Sequence, residues 1–271
     1  MQLKRIPKPV RRLLSGAAHG FMDLRDLRRS EPRKIIWILG HMRSGSTLLM
    51  HLLGSHPEIL GAGERNMTYE APSDLRKLEV VSFLARRRLF RDYDFVLDQI
   101  NHGRFVPNPE LLDEARLYKI FLVRRPEASL ASMIQVFGKI YGQSADDAVD
   151  YYRGRLAELQ AAACHGSDRR RHLLVCYEDL LENTEVTLKR LEHFLELESP
   201  LRETYEIFDF TGKRGDPSKR IQSGRIRRDL PPRQADLDPE VLSSLQDLHR
   251  ECLETLSARC FEPPVETPPE A

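Results

Sequence analysis

The chain begins polar and basic and then turns apolar at residues 35–39, Ile-Ile-Trp-Ile-Leu, a short β-branched run ended by Gly40 that reads as a buried strand. Beyond a turn that holds Gly40 and Gly45, Leu48, Leu49, Leu52 and Leu53 recur at helical spacing until Pro57 stops the pattern. Strand, glycine loop and helix therefore follow one another. The alternation returns at residues 118–123, Tyr-Lys-Ile-Phe-Leu-Val, where Pro126-Glu127 then suits the first turn of a helix carrying Leu130, Met133, Ile134 and Phe137. It returns again at residues 173–177, which lead through Glu178-Asp179 to a helix with Leu188, Leu191 and Leu195 on one side. Asp238-Pro239 starts a last helix with Leu242, Leu245, Leu248, Cys252 and Leu256. Such alternation predicts an α/β fold, a P-loop-like parallel sheet flanked by helices, in a single domain over residues 35–261. Residues 61–117 show no clean strand but many charges and aromatics, which predicts helical insertions over the ligand-binding edge.

Composition narrows the partners. With Lys+Arg 42 against Asp+Glu 41, the net charge of +1 excludes wholesale attraction to nucleic acid or acidic membranes, so any anion site is local. One local excess lies in residues 1–34, a basic arm with ten Lys/Arg against three acids. It reads first as a solvated helix packed on the domain; a weak contact with a membrane surface or partner is the alternative, disfavoured because apolar positions are sparse. Cys164, Cys176, Cys252 and Cys260 have neither CxxC spacing nor a His partner at metal-ligand distance, which predicts neither zinc nor a disulfide framework, and a cytoplasmic chain. No stretch approaches the roughly 20 apolar residues of a membrane span. The tail, residues 262–271, holds Pro263, Pro264, Pro268 and Pro269 and is expected to be disordered. Oligomeric state is not legible.

The chemistry concentrates after the first strand. In an open parallel sheet, ligands sit at the carboxyl ends of the strands, where a starting helix offers unpaired N–H groups to an anion. The segment Gly40-His-Met-Arg-Ser-Gly-Ser-Thr47 nearly has the spacing of the ATP-binding loop G-x-x-x-x-G-K-[ST], but Ser46 stands where that loop has Lys. Its cation is Arg43 instead, and the second strand ends in Arg124-Arg125 rather than in an acid suited to Mg²⁺. An Arg with Ser44, Ser46 and Thr47 suits a metal-free phosphosulfate better than a triphosphate.

The segment His41-Met-Arg-Ser-Gly-Ser-Thr-Leu-Leu49 resembles the 5′-phosphosulfate loop of bacterial and carbohydrate-type sulfotransferases, R-[ST]-G-[ST]-[ST]-L. The resemblance implies 3′-phosphoadenosine 5′-phosphosulfate as the donor. Arg43 would then contact its bridging and sulfonate oxygens, and Gly45, Ser46 and Thr47 its 5′-phosphate. Arg124 and Ser132, eight positions apart, resemble the 3′-phosphate motif of the same family. A guanidinium there binds phosphate bidentately and the hydroxyl adds a further bond. Between Lys213 and Arg228 a glycine-containing loop has seven basic residues and Asp216 as its one acid. It looks like the family's basic loop over the 3′-phosphate, with Lys213, Arg214, Lys219 and Arg220 as candidates, although it lacks the Arg-Lys-Gly of the cytosolic members. RNA binding by this loop is disfavoured because no aromatics are interleaved for stacking.

Sulfuryl transfer needs an in-line acceptor hydroxyl, a base, and positive charge on the departing phosphate, the role assigned to Arg43. Glu64, in Gly61-Ala-Gly-Glu64, resembles the glutamate base of some bacterial carbohydrate sulfotransferases. His102 is the alternative base, since phenol- and steroid-sulfating relatives use His; His56 ranks below it. Tyr177-Glu178-Asp179 resembles a Y-E-D-L-type segment of the family and reads as structural. The acceptor would be a small metabolite, sugar or lipid. Two competitors stand beside this reading: a P-loop kinase, favoured by Gly40, Gly45 and Thr47, and a nonenzymatic module binding an acidic partner through the arm and the 213–228 loop.

Overall fold

Every residue from Ile35 to Leu39 is buried, which a strand achieves only inside a sheet covered on both faces. The computed structural model describes residues 16, 20, 22, 23, 26, 27, 29–86, 92–103, 107–136, 144–166, 168–213, 216, 220–228 and 236–263. Among them lies a five-stranded sheet of order β2-β3-β1-β4-β5, formed by β1 (Lys34–Gly40), β2 (Ile59–Gly61), β3 (Phe95–Ile100), β4 (Leu117–Val123) and β5 (His172–Cys176). All pairings are parallel, and β1 lies between β3 and β4 with Leu39 opposite Ile100 and Gly40 opposite Leu122. The carboxyl ends of β1, β3 and β4 thus reach one edge together.

The helices are α1 (Ser46–Gly54), α2 (Pro72–Arg86), α3 (Pro109–Leu112), α4 (Pro126–Val136), α5 (Ala145–Ala163), α6 (Tyr177–Glu182), α7 (Thr184–Leu195) and α8 (Pro239–Arg259). Alternate β1 side chains split between two cores. Ile36 and Ile38 pack with Leu49, Met50 and Leu53 of α1 and Leu188 and Leu191 of α7. Ile35, Trp37 and Leu39 face Leu78 of α2, Leu130 and Met133 of α4, Leu156 and Leu159 of α5 and Leu245 and Leu256 of α8. Each such aliphatic side chain contributes about 1.5–3 kcal/mol by burial, so the sheet edge that carries the loops has a rigid base. As Asp238-Pro239 predicts, the Asp238 side chain caps α8 by accepting from Glu240 N at 2.8 Å.

Two differences from the sequence expectation matter for the site. Residues 61–117 were expected to hold helices without a strand; α2 is there, but so is β3, next to the central strand. Asp98 and Gln99 hide it by interrupting the apolar pattern, and both are buried. Burial of Asp98 is tolerated because its carboxylate accepts from Tyr69 Oη at 2.5 Å and from Arg65 N at 3.1 Å. The second difference is α5, which goes beyond the elements that periodicity predicts and which supplies much of the site's support.

Most of the basic arm and residues 264–271 of the tail lie outside the described residues, as does Phe137. Of the arm, Arg33 is 3% exposed and pairs with Asp26 and with Asp92 at 3.0 Å, while Arg29 pairs with Asp94 and with Asp92 at 2.8 Å. These contacts dock that end of the arm beside the start of β3. Among the described residues, no helix is long and apolar enough to cross a membrane.

Candidate active site

The turn after β1 is built for close approach. Arg43 has φ 65° and Gly45 φ 96°, so the chain passes twice through the left-handed region before α1 begins. Gly45 caps α1 with no side-chain hydrogen bond, leaving the first-turn N–H groups of the helix without a side-chain partner. A Cβ at Gly45 would overlap the Tyr177 ring. Only glycine fits both the backbone angle and the ring.

The two predicted anion motifs meet through Arg43. Its Nε donates to Ser132 Oγ at 2.9 Å, and Arg124 Nη1 donates to the Arg43 carbonyl at 3.0 Å. Arg124 lies over the Tyr177 ring, 4.2 Å from its centroid, and burial lowers its pKa from the ordinary guanidinium value. Arg124 Nε and Ser44 Oγ are buried with no hydrogen-bond partner among the described residues. Such orphaned donors are rare in a finished interior and suit an anionic ligand. Ser46 and Thr47 are 5% and 8% exposed, and Thr47 Oγ1 accepts from Asp216 N at 3.1 Å. Asp216 also sets its carboxylate 3.3 Å from Arg43 Nη2.

The basic loop is less uniform. Lys213 Nζ donates to the Asp209 carbonyl at 2.8 Å. Arg220 precedes the short helical turn Ile221–Ser223, and its charge is among those that depress the pKa of Arg124. Arg214 and Lys219 lie outside the described residues.

Glu64 and His102, alternatives in sequence, are neighbours in space. His102 Nε2 lies 3.7 Å from Glu64 Oε1, and Asn101 Nδ2 donates to the same oxygen at 3.4 Å. Glu64 is held from below, since the next residue, Arg65, donates its N–H to the buried Asp98. His56 is elsewhere, bonded to the Ser199 carbonyl at 2.7 Å.

Sequence reasoning missed the groups that hold this edge together. From α5, Arg155 donates to the carbonyls of Gly40 at 2.8 Å and Ile100 at 2.6 Å, joining the ends of β1 and β3. Tyr151 accepts from Met42 N at 2.8 Å and donates to the Asn101 carbonyl, and Tyr152 donates to the Arg124 carbonyl at 3.0 Å. On α1, His51 donates from Nδ1 to the Thr47 carbonyl at 2.7 Å and meets Thr211 Oγ1 at 2.8 Å, between the rings of Tyr205, Phe208 and Phe210. Of the segment read as structural, Glu178 accepts from Arg125 N at 3.2 Å, while the Tyr177 ring lies against Gly45 and Arg124. The adjacent tyrosines and Arg155 of α5 form no motif by which to find them.

A parallel sheet whose central strand feeds a glycine turn and a helix N-terminus, with two arginines converging there, defines an α/β protein of P-loop-like fold. Residues 36–99 and 110–201 match the model of the Sulfotransferase family, and the chain belongs to that family. It is therefore a transferase. Two solved structures share the fold at 18% identity each. A sulfotransferase domain from the curacin biosynthetic pathway gives a TM-score of 0.57 over 87% of this chain and 100% of that one. The sulfotransferase domain of the Synechococcus PCC 7002 olefin synthase gives 0.54 over 88% and 98%. No curated protein sequence matches the chain.

Proposed function

We propose that this sulfotransferase moves a sulfuryl group from 3′-phosphoadenosine 5′-phosphosulfate to a hydroxyl of a small metabolite, sugar or lipid. The observation that supports it most is the convergence of Arg43, Ser132 and Arg124, with Arg124 Nε buried and unpartnered among the described residues. A donor with 5′ and 3′ anions requires a set of hydrogen-bond donors for each, brought side by side.

In this reading the donor supplies an electrophilic sulfur on a phosphate leaving group. Gly45, Ser46 and Thr47 bind the 5′-phosphate at the N-terminus of α1, with the Ser44 hydroxyl adjacent. Arg43 offsets the negative charge that grows on the bridging oxygen. Arg124 and Ser132 hold the 3′-phosphate, with Lys213, Arg214, Lys219 and Arg220 as further cationic candidates around it. The cations of the site are arginines and lysines, and no metal is needed in this scheme. Glu64 takes the acceptor's proton, with His102 beside it as the alternative base or as the group that orients it. The four free cysteines support a reducing, cytoplasmic setting. The catalytic domain would span 35–261 between the basic arm and the tail 262–271.

Incubation with the sulfate donor and a panel of hydroxyl compounds, read by mass spectrometry, should yield a sulfated product, and calorimetry should detect adenosine 3′,5′-bisphosphate. Arg43→Ala should abolish transfer with the fold preserved. Tight ATP·Mg²⁺ binding without bisphosphate binding would instead identify a kinase.

A further inference from the structure

A single buried imidazole links the two anion loops. His41 is 0% exposed and lies between the ends of β1 and β4. The Arg124 amide can only donate, so His41 Nε2, 3.1 Å away, is its acceptor. The ring proton therefore sits on Nδ1, which donates to the Met42 carbonyl at 2.9 Å. On the other side of Arg124 its carbonyl accepts the Tyr152 proton at 3.0 Å, which leaves His249 Nδ1, 3.1 Å from the same hydroxyl, as a donor to it. A directed chain thus runs from His249 on α8 through Tyr152 to the Arg124 carbonyl, and from the Arg124 N–H through His41 to Met42. The Tyr152 ring also meets His41 edge-on at 5.0 Å, so packing fixes the imidazole as well.

Both backbone groups of Arg124 are consequently tied, one to the loop that carries Arg43 and one to the helix behind it. We infer that His41 is a positioning residue that sets the separation of the Arg43 and Arg124 guanidiniums, and so makes the site select nucleotides with phosphates at both the 3′ and 5′ positions. This rests on the donor reading above. A lone phosphate binds either subsite whatever their spacing. Only a ligand that spans both gains from the second contact, and it gains in proportion to how well the spacing matches.

The test uses the full chain and two ligands, adenosine 3′,5′-bisphosphate and adenosine 5′-phosphate, by calorimetry. His41→Phe keeps a ring against Tyr152 but deletes both hydrogen bonds. It should weaken the bisphosphate at least about tenfold while changing the monophosphate less than about threefold. His41→Gln, whose amide oxygen can accept from Arg124 N, should recover much of the loss. If His41→Phe does not fold, Tyr152→Phe removes the hydrogen bond on the carbonyl side, and the affinity ratio should fall in the same direction. A ratio unchanged in the folded variants, or a parallel fall in both affinities, would overturn the positioning role and leave the donor reading standing. Wild-type chain with no preference for the bisphosphate would overturn both, before any variant is made.

Discussion

Arg43 Nη2 stands 3.3 Å from Asp216 Oδ1, an ion pair that closes the loop after β1 onto a position 173 residues later in the chain. The side chains are 23% and 22% exposed, so solvent screens the pair only in part. In the free chain the guanidinium assigned to the donor's bridging oxygen, which the bisphosphate product keeps on its 5′-phosphate, therefore already has an anion. A donor must compete with it. Asp216→Asn removes the competing charge while keeping the amide that donates to Thr47, and should tighten adenosine 3′,5′-bisphosphate by about three- to tenfold at low salt, less at high salt. Weaker binding in this variant would mean that Asp216 helps to hold the ligand.

Gly45 is the least replaceable residue of the loop. Alanine there meets both a φ of 96° and the Tyr177 ring. Gly45→Ala should cost about 1–3 kcal/mol of stability in urea unfolding and should remove bisphosphate binding. Adding Tyr177→Ala to that variant should recover part of the stability, because only the backbone strain then remains. It should not restore full affinity, since Arg124 loses the ring it lies over at 4.2 Å.

The Glu64–His102 pair separates binding from chemistry. Glu64→Gln keeps the shape and the bond from Asn101 but cannot take a proton, so kcat should fall about a hundredfold or more with bisphosphate affinity changed less than about twofold. His102→Ala should lower kcat less. A larger loss in His102→Ala than in Glu64→Gln would reverse the two roles.

Burial pushes the His41 imidazole down to about 3, so it stays neutral in the folded chain through most of the acid range. In the unfolded chain it titrates near the ordinary value of about 6.5. Between these values the unfolded chain binds a proton that the folded chain does not, so this residue lowers stability as pH falls below about 6.5, by about 1.4 kcal/mol per pH unit. Urea unfolding from about pH 7 to about pH 4 should show a shallower decline in His41→Phe by that one-proton slope, with equal slopes above pH 7. Parallel declines would mean that the ring is protonated in the native chain.

What local sequence could settle, it did. Strands β1, β4 and β5 are apolar runs, and the helices after them repeat leucines at helical spacing, because both cores press on those elements from both faces of the sheet. The loop from Gly40 to Thr47 was legible as a candidate site because a strand end, a glycine turn and a helix N-terminus are contiguous in the chain. Arg124 and Ser132 were legible because one strand end and one helix supply both. Strand β3 was not, since Asp98 and Gln99 break its apolar pattern, and the partner that lets Asp98 be buried, Tyr69, is distant in sequence.

Tertiary structure alone decided the rest. It brought His102 to within 3.7 Å of Glu64 and set Asp216 on Arg43. It also made α5 the scaffold of the site, through Tyr151, Tyr152 and Arg155. The sequence by itself marked the candidate residues for binding charge, because that chemistry is local. How far apart those charges stand depends on hydrogen bonds between segments about a hundred residues apart, such as His249 to Tyr152, and only the folded chain brings those partners together.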